Sequence, residues 1–348
     1  MEAYVNAIIK EWKIRSNELE SDTINTIYIG GGTPSLLPKY LIERLLSELD
    51  NSIGLSSLNE FTLEANPEDI CPENIKDWSG MGINRISVGV QSFNPVALKT
   101  IDRRHSPEAS RFALKTLSSC NINYSADLIY GLPNQTLAEW EQERGGLLSY
   151  NPPHLSAYLL SYEQGTRLYA MLEKGFVTEA SETTAANMFD ILCNKVDKAG
   201  YNHYEISNIA LPGMEAKHNS SYWDYTPYIG LGTTAHSFDG KFRRFNPAGT
   251  KKYINAINNG IACYHIDDEN AANRFNDYII TSLRTAKGFD LKLAHYVFGN
   301  DLISKFMHNA TVLIKSGELS LSRQTSVLRI PRNKWLTSDA IFRELIIE

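Results

Sequence analysis

Apolar and polar positions along the first 160 residues switch between a helical and an extended period. Val5, Ile8, Ile9 and Trp12 recur at i, i+3, i+4 and i+7, which predicts one apolar face of an N-terminal helix. A short extended run over 24–30 follows, and then a helical pattern after Pro38 with Leu41, Leu45, Leu46 and Leu49 on one side. Strand-like runs recur at Glu60-Phe61-Thr62-Leu63, at 85–90, from Asn123 to Tyr130 and from His154 to Leu160, with a helix expected near 72–80. Helix starts are marked by Asn94-Pro95 and Ser106-Pro107, a capping side chain before proline, and by Thr136 with Glu139, a capping box. Five strands alternating with helices predict an α/β fold around a parallel sheet. This rhythm leaves an open doubly wound sheet and a curved barrel as alternatives, and both place functional residues at the carboxyl ends of strands.

Residues 162–200 read as helical connections, and Tyr204, Glu205 and Asn208 are expected to frame the barrel mouth. Gly230-Leu231-Gly232-Thr233-Thr234-Ala235 has the form GxGxxA, but it lacks the surrounding βαβ unit and the acidic residue about 20 positions on that a dinucleotide site needs. A helix from Glu269 through Ile279, Ile280 and Leu283, a hairpin at 317–330 around Arg323-Gln324-Thr325 and a terminal helix predict a small winged-helix-like α+β domain. The expected divisions are 1–240, 241–268 and 269–348.

Composition narrows the class. A chain of 348 residues with 43% apolar and 21% charged content can bury a large core, enough for two domains. The net charge of −6 and the lack of Lys/Arg runs give no footprint for nucleic acid, so the winged-helix-like unit is expected to dock on the barrel. No apolar segment reaches the roughly 20 residues of a membrane span, and Met1-Glu2-Ala3 begins no signal-peptide pattern, so a cytoplasmic location and a small-molecule partner are expected. Cys71, Cys120, Cys193 and Cys263 are widely spaced and read as small apolar residues.

The chemistry concentrates where strands end. Three glycines in Gly30-Gly31-Gly32-Thr33-Pro34-Ser35 follow Thr26-Ile27-Tyr28-Ile29 and let backbone approach a ligand closely. Glu64, Gln91 and Asp127 each close or interrupt another apolar run. An ionised carboxylate such as Glu64 in that setting needs a cation or several donors.

These segments, together with Leu63-Glu64-Ala65-Asn66-Pro67, Ala126-Asp127-Leu128-Ile129-Tyr130-Gly131-Leu132-Pro133 and His218-Asn219-Ser220-Ser221-Tyr222-Trp223, resemble the HemN/HemW family of radical S-adenosylmethionine (SAM) proteins over nearly the whole chain. The HNxxYW form of the last segment is similar to the family's haem-chaperone branch. The resemblance implies a partial TIM-like (β/α)6 barrel, of which five units are expected here because the family's CxxxCxxC loop and its strand are not in this sequence. It implies that Gly31, Gly32 and Thr33 line a SAM site and that Glu64 meets the SAM amino group. Arg103, twelve residues after Gln91, would pair the SAM carboxylate, and Asp127 would accept both ribose hydroxyls. It also implies His218 as a ligand to haem iron, with Tyr222 and Trp223 against the porphyrin, and His236 as a weaker candidate.

SAM and haem are thus the implied cofactors. The family's [4Fe-4S] cluster, which cleaves SAM reductively, is expected to find no ligands in this chain, and no catalytic residue is assigned. The function implied first is haem binding and delivery, with haem or porphyrin and a haem-acceptor protein as partners. The alternatives are a coproporphyrinogen III dehydrogenase-type oxidoreductase, once a cluster segment is present, and a cluster-less barrel with a structural or interaction role.

Overall fold

Every parallel strand expected from the sequence forms. The structure, a computed structural model, describes residues 1–18, 24–261, 264–267 and 270–347, so the expectations for Cys263 and Glu269 lie outside the described residues. In chain order the strands are β1 (Thr26–Ile29), β2 (Glu60–Ala65), β3 (Arg85–Gln91), β4 (Asn123–Tyr130), β5 (His154–Leu159), β6 (Asn202–His203), β7 (Asn208–Ala210), β8 (His236–Phe238), β9 (Arg243–Phe245), β10 (His265–Ile266), β11 (Phe289–Asp290), β12 (Ser320–Ser322) and β13 (Val327–Arg329). The helices are α1 (Glu2–Arg15), α2 (Lys39–Ile53), α3 (Pro72–Gly80), α4 (Pro95–Thr100), α5 (Pro107–Ser119), α6 (Leu137–Leu148), α7 (Arg167–Glu173), α8 (Glu182–Lys198), α9 (Lys217–Trp223), α10 (Thr250–Asn258), α11 (Ala271–Leu283), α12 (Leu291–Phe298), α13 (Asn300–Ser316) and α14 (Ser338–Leu345). No helix of the described residues is long and apolar enough to cross a membrane.

The chain divides into two compact units, each discontinuous in sequence. The first described here comprises Thr26–Leu36 and Asn59–Ala216. Its sheet has the order β1-β2-β3-β4-β5-β7-β6. Strands β1 to β5 pair in parallel, and the sheet then continues with β7 antiparallel to β5 and β6 antiparallel to β7. This is the partial TIM-like barrel sheet.

Alternation sorts its two faces. Phe61, Leu63, Ile86, Val88, Ala126, Leu128, Leu155 and Ala157 are buried on one side, where α5 and α6 pack. Thr62, Glu64, Arg85, Ser87, Ser125, Asp127, His154 and Ser156 occupy the other. The expected caps form: Asn94 accepts from the N–H groups of Val96 and Ala97, Ser106 from that of Ala109, and Thr136 and Glu139 close a capping box.

The second unit comprises Met1–Asn25, Leu37–Leu58 and Lys217–Glu348. Here α1 packs on α2 and α10, with Ala7, Tyr253 and Ile257 buried together. The face of α1 differs from the expected one: Val5 and Trp12 are buried, Ile8 and Ile9 are half-buried, and Ala7, Glu11 and Arg15 are buried as well. The two charges are tolerated because they satisfy each other and their surroundings. Glu11 accepts from Arg15 Nη1 at 2.9 Å, Gly232 N–H at 2.9 Å, Asn246 Nδ2 at 2.8 Å and Tyr253 O–H at 2.6 Å. The GxGxxA segment is therefore a loop fastened to α1. At Gly230 a Cβ would lie 1.9 Å from the His236 carbonyl oxygen, so close backbone approach is what requires glycine there.

The expected hairpin is β12–β13, with Ser326 N–H donating to Ser322 O at 2.8 Å across the turn. With β11 it forms a three-stranded antiparallel sheet beside α11 to α14, the winged-helix-like α+β arrangement.

Candidate functional site

The polar face of the parallel sheet gathers most of the predicted SAM residues at its carboxyl end. Gly31 and Gly32 leave β1 with φ of 79° and 80°, backbone that favours glycine, and both are exposed. The Gly31 N–H donates to Glu64 Oε2 at 2.9 Å, and the Tyr28 hydroxyl donates to Oε1 at 2.7 Å. Glu64 is thus aimed at the triglycine loop by two donors. Burial and the Glu64 carboxylate push the Tyr28 hydroxyl well above its ordinary ionisation range, which keeps it a donor. A Cβ on Gly30 would come within 2.5 Å of the Tyr28 ring and 2.9 Å of the Glu64 carboxyl, so the first glycine makes room for this pair. Thr33 Oγ1 accepts from Asn66 Nδ2 at 3.5 Å and the Ser35 hydroxyl donates to Asp69 at 2.6 Å, which tie the loop exit to the end of β2.

Asp127 stands two strands away and is half-buried. It accepts from Ser87 Oγ at 3.2 Å and Ser125 Oγ at 3.1 Å. Burial raises its carboxyl above the ordinary 3.8, and the serine hydroxyls and Arg85 offset part of that rise. Behind it runs a hydrogen-bonded chain: Ser125 Oγ to His154 Nδ1 at 2.8 Å, and His154 Nε2 to the Tyr204 hydroxyl at 2.8 Å. Burial and the Arg85 charge hold His154 well below its usual pKa, so its imidazole is neutral at pH 7. Arg85 itself is 2% exposed, 4.0 Å from Glu60, and its Nε has no hydrogen-bond partner among the described residues.

Gln91 ends β3 beyond a register shift, with φ of 63° and its side chain folded back over Gly89. Arg103 is exposed in the turn between α4 and α5. Two residues on, His105 Nε2 meets the Val90 carbonyl at 3.0 Å, and the Arg103 charge helps lower the His105 pKa, so this turn lies beside the carboxyl end of β3. No hydrogen bond or ion pair joins the Arg103 side chain to Glu64 or Asp127. Sequence reasoning missed Tyr28, Ser87, Ser125, His154 and Ser156. The signal for the last four was present as polar residues at every second position of β3, β4 and β5, whereas Tyr28 lies on β1.

In the other unit, α9 carries the HNSSYW segment. His218 Nε2 and the Tyr222 hydroxyl are 2.8 Å apart, with the rings edge-on at 5.2 Å. Tyr222 continues to Tyr228 at 4.7 Å, and Arg284 covers one face of Trp223 at 4.1 Å from its centroid. Tyr204 reaches back to His154 from the turn into β7, and Glu205 is buried there against Asn208. The described cysteines lie on separate elements, Cys71 before α3, Cys120 after α5 and Cys193 within α8. Among the described residues no three His, Cys, Asp or Glu side chains converge as a metal group, so those residues offer no ligand set for a [4Fe-4S] cluster. The open glycine cradle with Glu64 at its edge does fit the charged amino end of a SAM molecule.

The site is a parallel sheet with acidic groups and a glycine loop at its carboxyl end, and residues 9–143 match the description "Radical SAM superfamily", which gives its class. The chain is 37% identical to the heme chaperone HemW of Lactococcus lactis over 257 residues, 74% of this chain and 67% of that protein. It is 32% identical to HemW of Bacillus subtilis over 309 residues, 88% of this chain and 82% of that protein. Against HemW of Buchnera aphidicola, at 34% identity, the match spans 63% of that protein's length. The fold is that of coproporphyrinogen III oxidase HemN from Escherichia coli, with a TM-score of 0.81 at 20% identity, covering 99% of this chain and 82% of that one. The chain belongs to the HemN/HemW family and is a HemW-like radical SAM protein.

Proposed function

We propose that this protein binds haem and passes it to an acceptor protein in the cytoplasm, with His218 as the iron ligand. The observation that carries this reading is the HNSSYW segment, in which His218 and Tyr222 are paired on α9 of a chain whose relatives are named heme chaperones. Neutral imidazole is a common axial ligand to haem iron. Ligation through Nε2 replaces the hydrogen bond to Tyr222, whose ring, with the face of Trp223 opposite Arg284, is then available to a porphyrin. SAM is the second ligand: Glu64 faces its ammonium, Gly31, Gly32 and Thr33 line its methionine end with Gln91 near, Arg103 pairs its carboxylate, and Asp127 takes its ribose hydroxyls. When bound with a reducing cluster, SAM supplies radical chemistry, and these residues only bind and orient it.

Titration with haem tests the reading. A shifted Soret band is expected, and His218→Ala weakens haem binding by more than tenfold, about 1.4 kcal/mol or more. His295→Ala, an exposed residue of α12, leaves it unchanged. Equal losses from both substitutions, or none from either, overturn the assignment.

A further inference from the structure

The small antiparallel sheet β8–β9–β10 carries an arrangement that the haem reading of α9 leaves unused. Register places His236 opposite Phe245 and Phe245 opposite His265, so the three rings stand side by side on one face. The His236 and Phe245 rings are 5.8 Å apart at 30°, and the Phe245 and His265 rings 5.3 Å apart at 37°. Both histidines are exposed, and their ring nitrogens have no hydrogen-bond partner among the described residues. Two strand spacings make the row about 10 Å across, close to the breadth of a tetrapyrrole. Cross-strand pairing accounts for some of this, at roughly 0.2–1 kcal/mol per pair, but a stabilising pair has no need of two accessible imidazoles.

The row is continuous with α9. Tyr228 bridges Phe238, two residues along β8 from His236, and Tyr228 meets Tyr222, the hydrogen-bond partner of His218. Resting on the haem reading above, we propose that the His236–Phe245–His265 row is a second haem-binding surface, where one imidazole ligates the iron and Phe245 packs against the tetrapyrrole. Such a site leaves the opposite face of the haem open to solvent, so it holds its ligand more weakly than an enclosed pocket and releases it to an acceptor more readily.

Haem titration to saturation, followed by difference spectroscopy on the full chain, tests the proposal. Wild type is expected to take up two equivalents, a tighter and a weaker one. The double variant His236→Ala/His265→Ala loses the weaker equivalent, with affinity down more than tenfold, whereas His218→Ala loses the tighter one and keeps the weaker. Phe245→Ala weakens the second equivalent severalfold and leaves the first intact. His236 and His265 are exposed and His218 and Phe245 half-buried, and an unchanged melting temperature and near-UV spectrum show that the variants remain folded. If the double variant titrates like wild type, the second surface does not exist. If metal-free protoporphyrin and haem lose affinity equally in the double variant, the claim of iron ligation fails. Loss of all haem binding in the double variant with none in His218→Ala would make the row the primary haem site, overturning both its place as the weaker surface and the assignment of His218.

Discussion

Asp127 holds a carboxylate among three serine hydroxyls and a buried arginine, and its burial has a measurable acid–base consequence. Its folded pKa lies above the ordinary 3.8. Below that value the side chain is protonated in both folded and unfolded chains, and its contribution to stability is fully present. As pH rises, the unfolded chain ionises first, so stability falls until the folded pKa is passed and then levels. Asp127→Asn does not ionise. The variant is therefore expected to match wild type near pH 3.5 and to gain a few degrees in melting temperature relative to it as pH rises toward neutrality. Thermal unfolding between pH 3.5 and 7.5 checks this, and parallel curves for the two proteins would show that burial does not raise the Asp127 carboxyl.

At the scale of the element, what the sequence made legible was whatever depends on near neighbours. Period, caps and turn residues placed β1 to β5, α2 to α6 and the β12–β13 hairpin, since each is set by residues within one or two turns of it. Glu64 and Asp127 were found for the same reason, as polar residues at the ends of apolar runs. The Ser125–His154–Tyr204 chain was not, because its members come from two strands and a turn joined only by the register of the sheet. The burial of Glu11 and Arg15 on α1 was hidden still more deeply. Their helix reads as amphipathic with both charges outside, and the groups that satisfy them lie at Gly230, Gly232, Ser237, Asn246 and Tyr253. Glu11→Ala leaves the Gly232 N–H and the Tyr253 hydroxyl without their acceptor and takes one of two carboxylates from Arg15, which keeps Glu18, and a loss of about 3–5 kcal/mol in urea unfolding is expected. Glu11→Gln keeps the shape and loses the charge, and falls between. A loss below about 1 kcal/mol for Glu11→Ala would mean that water replaces the carboxylate and that this cluster is not a dry anchor.

For the whole molecule, α1 belongs with the C-terminal part of the sequence, because the apolar surface of Ala7 is covered by Tyr253 and Ile257 of α10. A fragment of residues 1–240 retains the parallel sheet but exposes that surface and removes Asn246 and Tyr253 from Glu11. We expect it to elute as aggregate in size-exclusion chromatography, with α1 amides exchanging with solvent far faster than in the full chain. Co-expression of residues 241–348 should restore protection. A monomeric fragment with a protected α1 would show that the helix is secured within the first 240 residues.

The Glu11 cluster also sets a clock. Its partners at Gly232, Asn246 and Tyr253 follow it by 221, 235 and 242 residues. At 5–20 residues per second of synthesis, α1 emerges and then waits roughly 10–50 s before the last of them has been made. For that interval the helix keeps its local Glu11–Arg15 pair but lacks the distant donors that complete it, and its apolar stripe is uncovered. A segment translated well ahead of its partners is thus among the last to find its place, and a ribosome-associated chaperone would have that whole interval in which to meet it.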